Sequence, residues 1–520
     1  MPENPISEYD KFAYPSALYP QSHPERLATI ATLFDLQPAR IDRARVLELG
    51  CGDGNNLITM ACTLPHGSFH GIDLAIGPIR RGQETIAALG LKNVTLRQMN
   101  LLEAPADLGV FDYIIAHGLY SWVPEAVREK ILAICREHLA ENGVAYISYN
   151  AYPGNHVRDA ARRMMQFHVQ QFSEPAEKIR QARAFLKFLA EAKSKPGVWQ
   201  DVLRHQFERI EKYVDAGFFH DDLSPVNQPF YFYEFMQAAG RHQLQYLAEA
   251  DFTGMQLEGV GAEAVEVIRK METINFIIRE QYLDFIVGRA FRQTLLCRQG
   301  RQLDRWPKPE RAYDLFIASD VGLVNSSTNP VVAGIEDFRR GKIVIATSQP
   351  VLKSALLYLE QVWPRRVPFS ELLTKACDRA GRAALESDRR DLGEFLIRCY
   401  GVGIVDLHAY ASTFISEISE RPMASALARL QVQSGSPVSS LRHLPLKIED
   451  AMGRELLRLL DGTRDRAELL EQLSKTKFSA PVTASTDGTR PDPSGSAGDR
   501  MAGQLETSLI NLAKLGLLVG

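Results

Sequence analysis

The sequence lacks the features that mark membrane, secreted or zinc-binding proteins. No apolar run in its 520 residues approaches the ~20 residues that a membrane helix needs. Met1–Glu8 has neither the basic segment nor the apolar core of a secretory signal. The six cysteines are scattered without a Cys-x-x-Cys pair, which argues against a disulfide framework or a structural metal site. We therefore expect a cytoplasmic protein with no metal and no membrane insertion.

An excess of one sign of charge is also missing. The chain carries 60 basic and 63 acidic residues, for a net charge of −3. This balance supplies no electrostatic footprint for nucleic acid, so we expect no nucleic-acid partner. The hydrophobic share of 45% and the charged share of 24% are ordinary for globular proteins. A chain of this length predicts roughly three or four domains of about 150 residues each.

Apolar strand-like runs alternate with helical patterns in the first third of the chain. This alternation predicts an α/β fold, with a doubly wound, Rossmann-like parallel sheet covered by helices on both faces. The predicted strands are Arg45–Leu49, Ser68–Asp73, Val94–Met99, Phe111–Ala116 and Gly143–Tyr149, and the predicted helices are Asn56–Thr63, Ile79–Leu89 and Glu125–Leu139.

The rest of the chain divides by composition. In two stretches near the C-terminus, three short helical segments end on a Gly-apolar strand, which predicts two α+β modules that are winged-helix-like. An insert at 479–500 has no Leu, Ile or aromatic residue and is predicted to be disordered. The predicted parts are an N-terminal arm or lid (1–45), the α/β core with a helical insertion (46–214), a segment completing the catalytic part (215–305), a middle winged-helix-like domain (306–435) and a C-terminal winged-helix-like module (436–520).

A glycine loop, Gly50-Cys-Gly-Asp-Gly54, follows the first strand and leads into a helix. Glycines allow a tight turn and a close approach to a ligand, and dinucleotide sites use similar loops. Two details favour S-adenosylmethionine as the cofactor. Glu48 stands where an acid can meet the methionine amine, and the spacing is GxGxG in place of GxGxxG. Asp73 then ends the second strand, where a carboxylate can accept both ribose hydroxyls.

Other residues at this edge complete the predicted cofactor site. Asn100 follows the third strand, where its carbonyl can accept a hydrogen bond from the adenine amino group. A solvated strand-end carboxylate is the alternative for Glu48 and for Asp73 when each is taken singly. The cofactor candidates are Glu48, Gly50, Cys51, Gly52, Gly54, Asn56, Asp73, Leu74, Asn100, Leu101, His117 and Gly118.

Polar and aromatic residues follow the fourth and fifth strands, at the edge that should face the cofactor. His117 is open to two interpretations, a base or a packing histidine. A third group, His220-Asp-Asp222, could orient an amine or accept a proton, but capping of a helix start is favoured. The catalytic candidates are His117, Tyr120, Trp122, Tyr149, Tyr152, His220 and Asp222.

Several blocks resemble a family of bacterial methyltransferases that join a class I catalytic domain, a regulatory domain and a C-terminal winged-helix domain. The family includes rickettsial lysine methyltransferases that modify outer-membrane proteins. The blocks are Gln21–Pro24, Arg45–Gly54, Phe111–Pro124, Ser148–Gly154, His220–Asn227, Tyr246–Ala250 and Arg289–Cys297. One departure is Asn155, where the family pattern suggests an aromatic residue.

The resemblance implies methyl transfer from S-adenosylmethionine to a lysine of a cell-envelope protein. It also implies that the 215–305 segment is regulatory. An apolar aromatic channel would favour neutral lysine, and its candidates are Tyr14, Tyr19, Tyr120, Trp122, Tyr149 and Tyr152. Core packing is the alternative for these rings. A small-molecule or peptide acceptor and a non-enzymatic scaffold are the competing functions, and a homodimer stays open.

Overall fold

The computed structural model describes residues 14, 17–193, 195, 197–325, 331, 334–411, 415, 417–435, 437–475 and 497–519. Residues 1–13 of the predicted arm and residues 479–496 of the predicted disordered insert lie outside this set. The last four residues of that insert, 497–500, are helical, which corrects the prediction. They extend a helix whose apolar residues Leu505, Leu509 and Leu512 lie on one buried face.

A seven-stranded sheet forms the centre of the catalytic part and confirms the predicted α/β fold. The strands are β1 Arg45–Leu49, β2 Ser68–Asp73, β3 Val94–Gln98, β4 Phe111–Ala116, β5 Leu139–Asn150, β6 Leu244–Glu249 and β7 Phe291–Arg298. Their order in the sheet is β3-β2-β1-β4-β5-β7-β6. The first five strands pair in parallel, whereas β7 pairs antiparallel with both β5 and β6.

Helices cover both faces of this sheet. β4 is buried at every position, as its continuous apolar run requires of a strand covered on both sides. The helices of the catalytic part, outside the insertion, are Pro24–Leu33, Asn55–Thr63, Ile76–Leu89, Glu125–His138, Phe232–Arg241, Ala262–Ile274 and Phe276–Val287. Among the described residues, none of the helices is both long and apolar enough to cross a membrane.

The insertion between β5 and β6 is a helical subdomain with its own apolar core. Its helices are Asn155–Val169, Pro175–Glu191 and Val198–Glu211, followed by the short helix Asp215–Phe218 and a π-helical turn, Phe219–Leu223. Met165, Leu186 and Phe218 are fully buried in this core. The turn places His220 and Asp222 inside the subdomain and so fixes their positions.

The middle domain packs directly on the catalytic part. Leu27 and Ile30 of the N-terminal helix share one apolar cluster with Leu356 and Leu396 of the middle domain. Glu25 of the same helix accepts hydrogen bonds from the backbone of Ala409 and pairs with His408. The middle-domain helices are Pro350–Val362, Phe369–Arg379 and Glu386–Val402, and its short strands are β8 Phe316–Ala318, β9 Gly322–Leu323, β10 Glu336–Arg340, β11 Ile343–Thr347, β12 Val367–Pro368 and β13 Asp406–His408.

The C-terminal module has a separate core that begins before the predicted boundary at 436. Ala424, Ala428 and Val432 pack with Leu457 and Leu509 in this core. The helices of the module are Ala426–Gln433, Ala451–Leu459, Arg466–Lys475 and Ala497–Lys514. A two-stranded hairpin of β14 Val438–Ser439 and β15 Pro445–Leu446 completes it.

Candidate active site

The glycine loop turns sharply between β1 and the helix Asn55–Thr63. Gly50, Gly52 and Gly54 have φ angles of 73°, 57° and 71°, a region that favours glycine. A Cβ at Gly54 would also lie 2.6 Å from a methyl of Leu96. At Gly52, by contrast, a Cβ would meet no atom of the described residues within 4 Å. The loop is therefore packed on one side and open at Gly52, as a cradle for a ligand must be.

Asp73 lies at the end of β2 and braces the loop. Its two carboxylate oxygens accept hydrogen bonds from the backbone N–H groups of Gly52 and Ala75, both at 2.8 Å. A carboxylate group offers about four acceptor positions in all. This arrangement is compatible with the predicted contact to the two ribose hydroxyls, which stays a prediction.

Glu48 has one carboxylate oxygen paired and one buried without a partner. Asn56 donates to Oε1 at 2.9 Å, whereas Oε2 has no hydrogen-bond partner in the described structure. Burial, with the charges of Asp53 and Asp73 and against the lowering effect of the Asn56 hydrogen bond, raises the pKa of this carboxyl to about 8. A buried acceptor without a donor is costly. A bound ammonium would remove that cost, so the site fits the methionine end of S-adenosylmethionine.

The remaining cofactor candidates differ in exposure. Cys51 in the loop and Leu101 after β3 are buried, whereas Leu74 is 51% exposed. Asn100 caps a short 3-10 turn, because its side-chain oxygen accepts a hydrogen bond from Leu102 N at 3.1 Å. That oxygen has a second lone pair, so its predicted contact with adenine stays open. At Gly118 (φ 60°) a Cβ would again lie more than 4 Å from every atom of the part of the chain that the structure describes.

His117 stands at the end of β4 between two tyrosines. Its ring stacks on Tyr19 with centroids 3.6 Å apart, and its Nδ1 lies 2.8 Å from the Tyr146 hydroxyl. Burial lowers the pKa of His117 to about 3, so its imidazole is neutral. A neutral histidine with this pKa is a poor proton acceptor near pH 7. The stacking and burial of His117 therefore favour a packing role in the wall of the site over the role of a catalytic base.

Two predicted channel tyrosines lie in the core instead of on an open wall. Tyr120 and Tyr149 are 2% and 1% exposed. Both rings pack against Phe235, and the Tyr149 hydroxyl lies 3.1 Å from Thr294 Oγ1. These contacts favour core packing over a wall of the acceptor channel for both tyrosines. In the described structure they are enclosed by side chains and do not face solvent.

Trp122 and Tyr152 lie at the same edge of the sheet, after β4 and β5. The guanidinium of Arg162 lies 5.7 Å above the partly buried Trp122 ring. Tyr152 stacks on His156 and donates to Asp159 at 3.0 Å. Burial and the Asp159 charge raise the pKa of Tyr152 to about 12. Its hydroxyl is therefore protonated at neutral pH.

Asn155, the departure from the family pattern, is enclosed within the fold. Its side chain is 1% exposed, and its amide nitrogen donates to the carbonyls of Ala151 and Ala290. It thus joins the ends of β5 and β7 and does not line an open site.

The His220-Asp-Asp222 group lies in the π-helical turn, and its two carboxylates have different partners. Asp222 is fully buried between Arg158 and Arg209, at 3.0 and 2.6 Å. The guanidinium groups hold its pKa low despite burial. Asp222 therefore does not cap a helix, which was the favoured prediction, and does not orient an amine, because its oxygens accept hydrogen bonds from two arginines.

The neighbouring Asp221 lies beside Tyr14, which precedes the N-terminal helix. Its Oδ2 accepts a long hydrogen bond of 3.5 Å from Tyr14, whose ring also contacts His220. Burial, together with the charge of Asp222 and against that of Arg158, raises the pKa of Asp221 to about 6. Burial and the charges of Glu48, Asp53 and Asp221 raise the pKa of Tyr19, so Asp221 lies within electrostatic range of the cofactor edge.

Sequence reasoning missed several residues that shape the site. Ser148 accepts a hydrogen bond from Gly118 N at 2.8 Å. A Cβ at Gly82 would lie 2.2 Å from the Asp53 carbonyl, so only glycine permits this approach of the helix to the loop. His443 and Gln431 of the C-terminal module contact Asn56 and Asn55. A glycine within a helical pattern was a usable signal for Gly82, but no local pattern links position 443 to this loop.

Three family descriptions match the chain in order. Residues 46–143 match "Methyltransferase domain", residues 215–298 match "Predicted methyltransferase regulatory domain", and residues 420–517 match "PKMT, C-terminal winged helix domain". The Rickettsia prowazekii protein RP028 is 36% identical over 245 residues, which cover 47% of this chain and 98% of that protein. The chain belongs to this methyltransferase family.

Whole-chain comparisons extend the likeness to all the domains. The Rickettsia prowazekii protein RP789 is 29% identical over 492 residues, covering 93% of this methyltransferase and 88% of that protein. The structure of PKMT2 from Rickettsia typhi in complex with AdoHcy matches with a TM-score of 0.86 and 26% identity, over 98% of this chain and 100% of that one. The enzyme is thus an S-adenosylmethionine-dependent methyltransferase, and the scaffold alternative falls.

Protonation of Glu48 gives a first test of the cofactor site. We expect binding of AdoHcy to release a proton below pH 8, because an ammonium beside the carboxyl favours its ionised form. Affinity should rise by up to about tenfold per pH unit towards pH 8. Calorimetry in two buffers with different ionisation enthalpies measures the proton release. The Glu48→Gln variant should show none, and proton uptake in the unmodified enzyme would contradict the contact.

Proposed function

We propose that this methyltransferase transfers methyl groups to lysine side chains of a cell-envelope or outer-membrane protein, acting in the cytoplasm before export. The observation that carries this proposal is the likeness over 98% of the chain to the structure of PKMT2 from Rickettsia typhi, in line with the resemblance of the sequence blocks to rickettsial lysine methyltransferases. The match of residues 420–517 to a PKMT winged-helix domain supports it independently of the catalytic domain.

Aromatic side chains with one acidic group at the cofactor edge fit a lysine acceptor. Tyr19 and His117 stack, and Phe291 lies 6.2 Å from His117. Tyr14 and Asp221 lie at the solvent side. We call these five residues the acceptor rim. Aromatic faces attract an incoming ammonium, and a carboxylate orients it.

The reaction requires a neutral nitrogen, because the pKa of lysine is ~10.4 in water. S-adenosylmethionine supplies an activated methyl group when it is bound. The chain's own residues would then orient the lysine and disfavour its charged form by excluding water. At the acceptor rim, Asp221 would receive the proton from the ammonium and pass it to solvent.

The proposal is tested by mass spectrometry of envelope and whole-lysate proteins after incubation with enzyme and isotopically labelled S-adenosylmethionine. We expect labelled mono-, di- or trimethyl-lysine in a small set of envelope proteins. Labelling confined to small molecules or natural-product peptides would overturn the proposal and favour the competing acceptor class. The Asp73→Ala variant, which should bind the cofactor weakly, serves as the inactive control.

Asp221 offers a test of the rim itself. We expect Asp221→Asn to lower kcat/KM for a lysine acceptor by about tenfold or more at pH 7.5, as loss of a charge-assisted contact or a proton acceptor does. In the unmodified enzyme the carboxylate is ionised above its pKa of about 6, so activity should fall as the pH drops through 6. The pH–rate profile of the variant should lose this acid limb.

The matched control for this change is Asp215→Asn. Asp215 stands six positions earlier, and its side chain is 61% exposed in an ion pair with Arg183. It should leave both rate and pH profile unchanged. An acid limb that persists at pH 6 in Asp221→Asn would assign that ionisation to another group. Homodimerisation stays a separate prediction, which light scattering of the purified enzyme measures.

A further inference from the structure

The hairpin of the C-terminal module reaches the back of the cofactor loop. The tip between β14 and β15, residues 440–444, carries His443, which is 4% exposed and has a φ of 58°. Its Nε2 lies 2.7 Å from Asn56 Oδ1, across 387 positions of sequence. Gln431 of the same module donates to Asn55 Oδ1 at 3.0 Å. The two contacts meet consecutive residues in the first turn of the helix after the glycine loop.

The hydrogen bonds around Asn56 fix which atom donates. The backbone N–H of Tyr19 donates to Asn56 Oδ1 at 3.2 Å, so this oxygen is an acceptor. The amide nitrogen of Asn56 donates to Ser22 Oγ and Glu48 Oε1, at 3.1 and 2.9 Å. His443 must therefore carry its proton on Nε2. Its Nδ1 is buried and has no hydrogen-bond partner among the described residues, as in a neutral ring.

A continuous series of hydrogen bonds thus runs from the module to the cofactor site. His443 holds the Asn56 amide in one orientation, and Asn56 in turn holds Glu48 so that its unpartnered Oε2 lies at the predicted methionine end. Without the His443 donor, the amide could rotate and present its oxygen to the Glu48 carboxylate. That arrangement would place two acceptors face to face and disfavour the ionised acid.

We propose that His443 is a positioning residue for the cofactor, and that the C-terminal winged-helix module thereby completes the S-adenosylmethionine site of the catalytic domain. The module then acts on the donor and not only on the acceptor. Cofactor binding and docking of the module stabilise each other, since both depend on the same Asn56 orientation. The proposal holds for any acceptor class, although it rests on Glu48 as the cofactor's amine contact.

The test compares His443→Leu with His443→Gln in the full chain by calorimetry with AdoHcy from pH 6 to 9. Leucine removes the donor at similar volume, whereas glutamine retains an N–H. We expect His443→Leu to weaken binding about tenfold at pH 7 and to move the pH midpoint of binding upward, and His443→Gln to stay within about threefold. The upward shift is expected because the Asn56 hydrogen bond lowers the pKa of Glu48.

Other groups that sense or face Glu48 are unchanged in both variants, so they do not account for a difference. They are Asp53, Asp73, Tyr19, Cys51, Tyr146 and, beside His443, His23. Leu457→Ala is the stability control, because Leu457 is fully buried in the core of the module and does not contact the loop. It should lower the melting temperature without moving the pH midpoint.

A double-variant comparison separates positioning from simple packing. If His443 acts through Asn56, then His443→Leu combined with Asn56→Ala should weaken AdoHcy binding no more than Asn56→Ala alone. Additive losses would overturn the proposal. So would an unchanged midpoint in His443→Leu, or an equal midpoint shift in Leu457→Ala. Failure of AdoHcy to bind the unmodified enzyme would instead reject the cofactor assignment itself.

Discussion

Replacing Asp73 with alanine is expected to weaken AdoHcy binding about hundredfold while leaving the secondary structure intact. The carboxylate at the end of β2 is the predicted acceptor for two ribose hydroxyls, and hydrogen bonds to a charged group contribute about 1.5–3 kcal/mol each. Two such bonds correspond to at least a hundredfold in affinity. The expected consequence is an enzyme that folds but has little activity at ordinary cofactor concentrations.

The same variant also loosens the loop. Asp73 accepts hydrogen bonds from Gly52 N and Ala75 N. Without the carboxylate, both N–H groups would donate to water instead. We therefore expect a stability loss of about 1–2 kcal/mol, well below the effect on binding. Calorimetry measures the affinity, and circular dichroism with thermal unfolding measures the fold.

Glu84→Ala is the matched control for this change. Glu84 is an exposed acid on the helix Ile76–Leu89 that follows Asp73, and it should leave the affinity unchanged. An Asp73→Ala affinity within threefold of the unmodified enzyme would refute Asp73 as a cofactor contact. Asp73→Asn should fall between the two, because an amide retains a single acceptor oxygen.

Replacing Arg292 with methionine is expected to give the largest loss of stability. The side chain of Arg292 is fully buried in β7 and pairs with Glu249, Glu280 and Asp284. Its guanidinium also lies 3.8 Å above the Phe232 ring. Methionine would leave a buried cluster of like charges without its central cation. Removing one partner of such a cluster costs about 3–5 kcal/mol.

This loss should depend on pH in a defined direction. Burial raises the pKa of Glu249 and of Asp284 even with Arg292 present. A group whose pKa is raised in the folded state contributes stability below its unfolded pKa and loses it as the pH rises through the folded value. Without the arginine these values should rise further. The deficit of Arg292→Met should therefore shrink as the pH falls from 8 to 5.

Thermal and denaturant unfolding measure both effects. A deficit of this size should lower the midpoint by about 10 °C. Arg301→Met is the matched control, because Arg301 pairs with an exposed Glu141 whose side chain is 78% accessible, and solvent screens such pairs so that they contribute little to stability. If Arg292→Met unfolds at the same temperature as Arg301→Met, the buried cluster does not stabilise the regulatory segment. Adding Glu249→Gln should restore part of the loss.

Local patterns predicted the donor side of this enzyme well. Strands β1 to β4 appear within one residue of their predicted bounds, because apolar runs ended by glycine or polar residues encode buried parallel strands directly. The positions of Glu48 and Asp73 follow from the same pattern, since a residue at the end of a parallel strand lies at the ligand edge. The family likeness confirms the cofactor class.

Burial was the main quantity that local patterns left undecided. Tyr120 and Tyr149 stand at strand ends, where a ring can face either a ligand or a neighbouring helix. The helix Phe232–Arg241, which lies far later in the chain than either tyrosine, covers both of them with Phe235. The sequence predicts a capping role for Asp222, whereas in the structure Arg158 and Arg209 of two other helices enclose it.

The sequence by itself thus determined the fold class, the cofactor loop and the kind of cofactor, because apolar periodicity, turn glycines and strand-end acids are patterns local to the chain. The tertiary structure decided which aromatic rings are core, which acid of the Asp221–Asp222 pair remains free to titrate, and that His443 reaches Asn56. Each of these depends on which distant segment excludes water from a side chain, and hydrophobic periodicity carries no information about that partner.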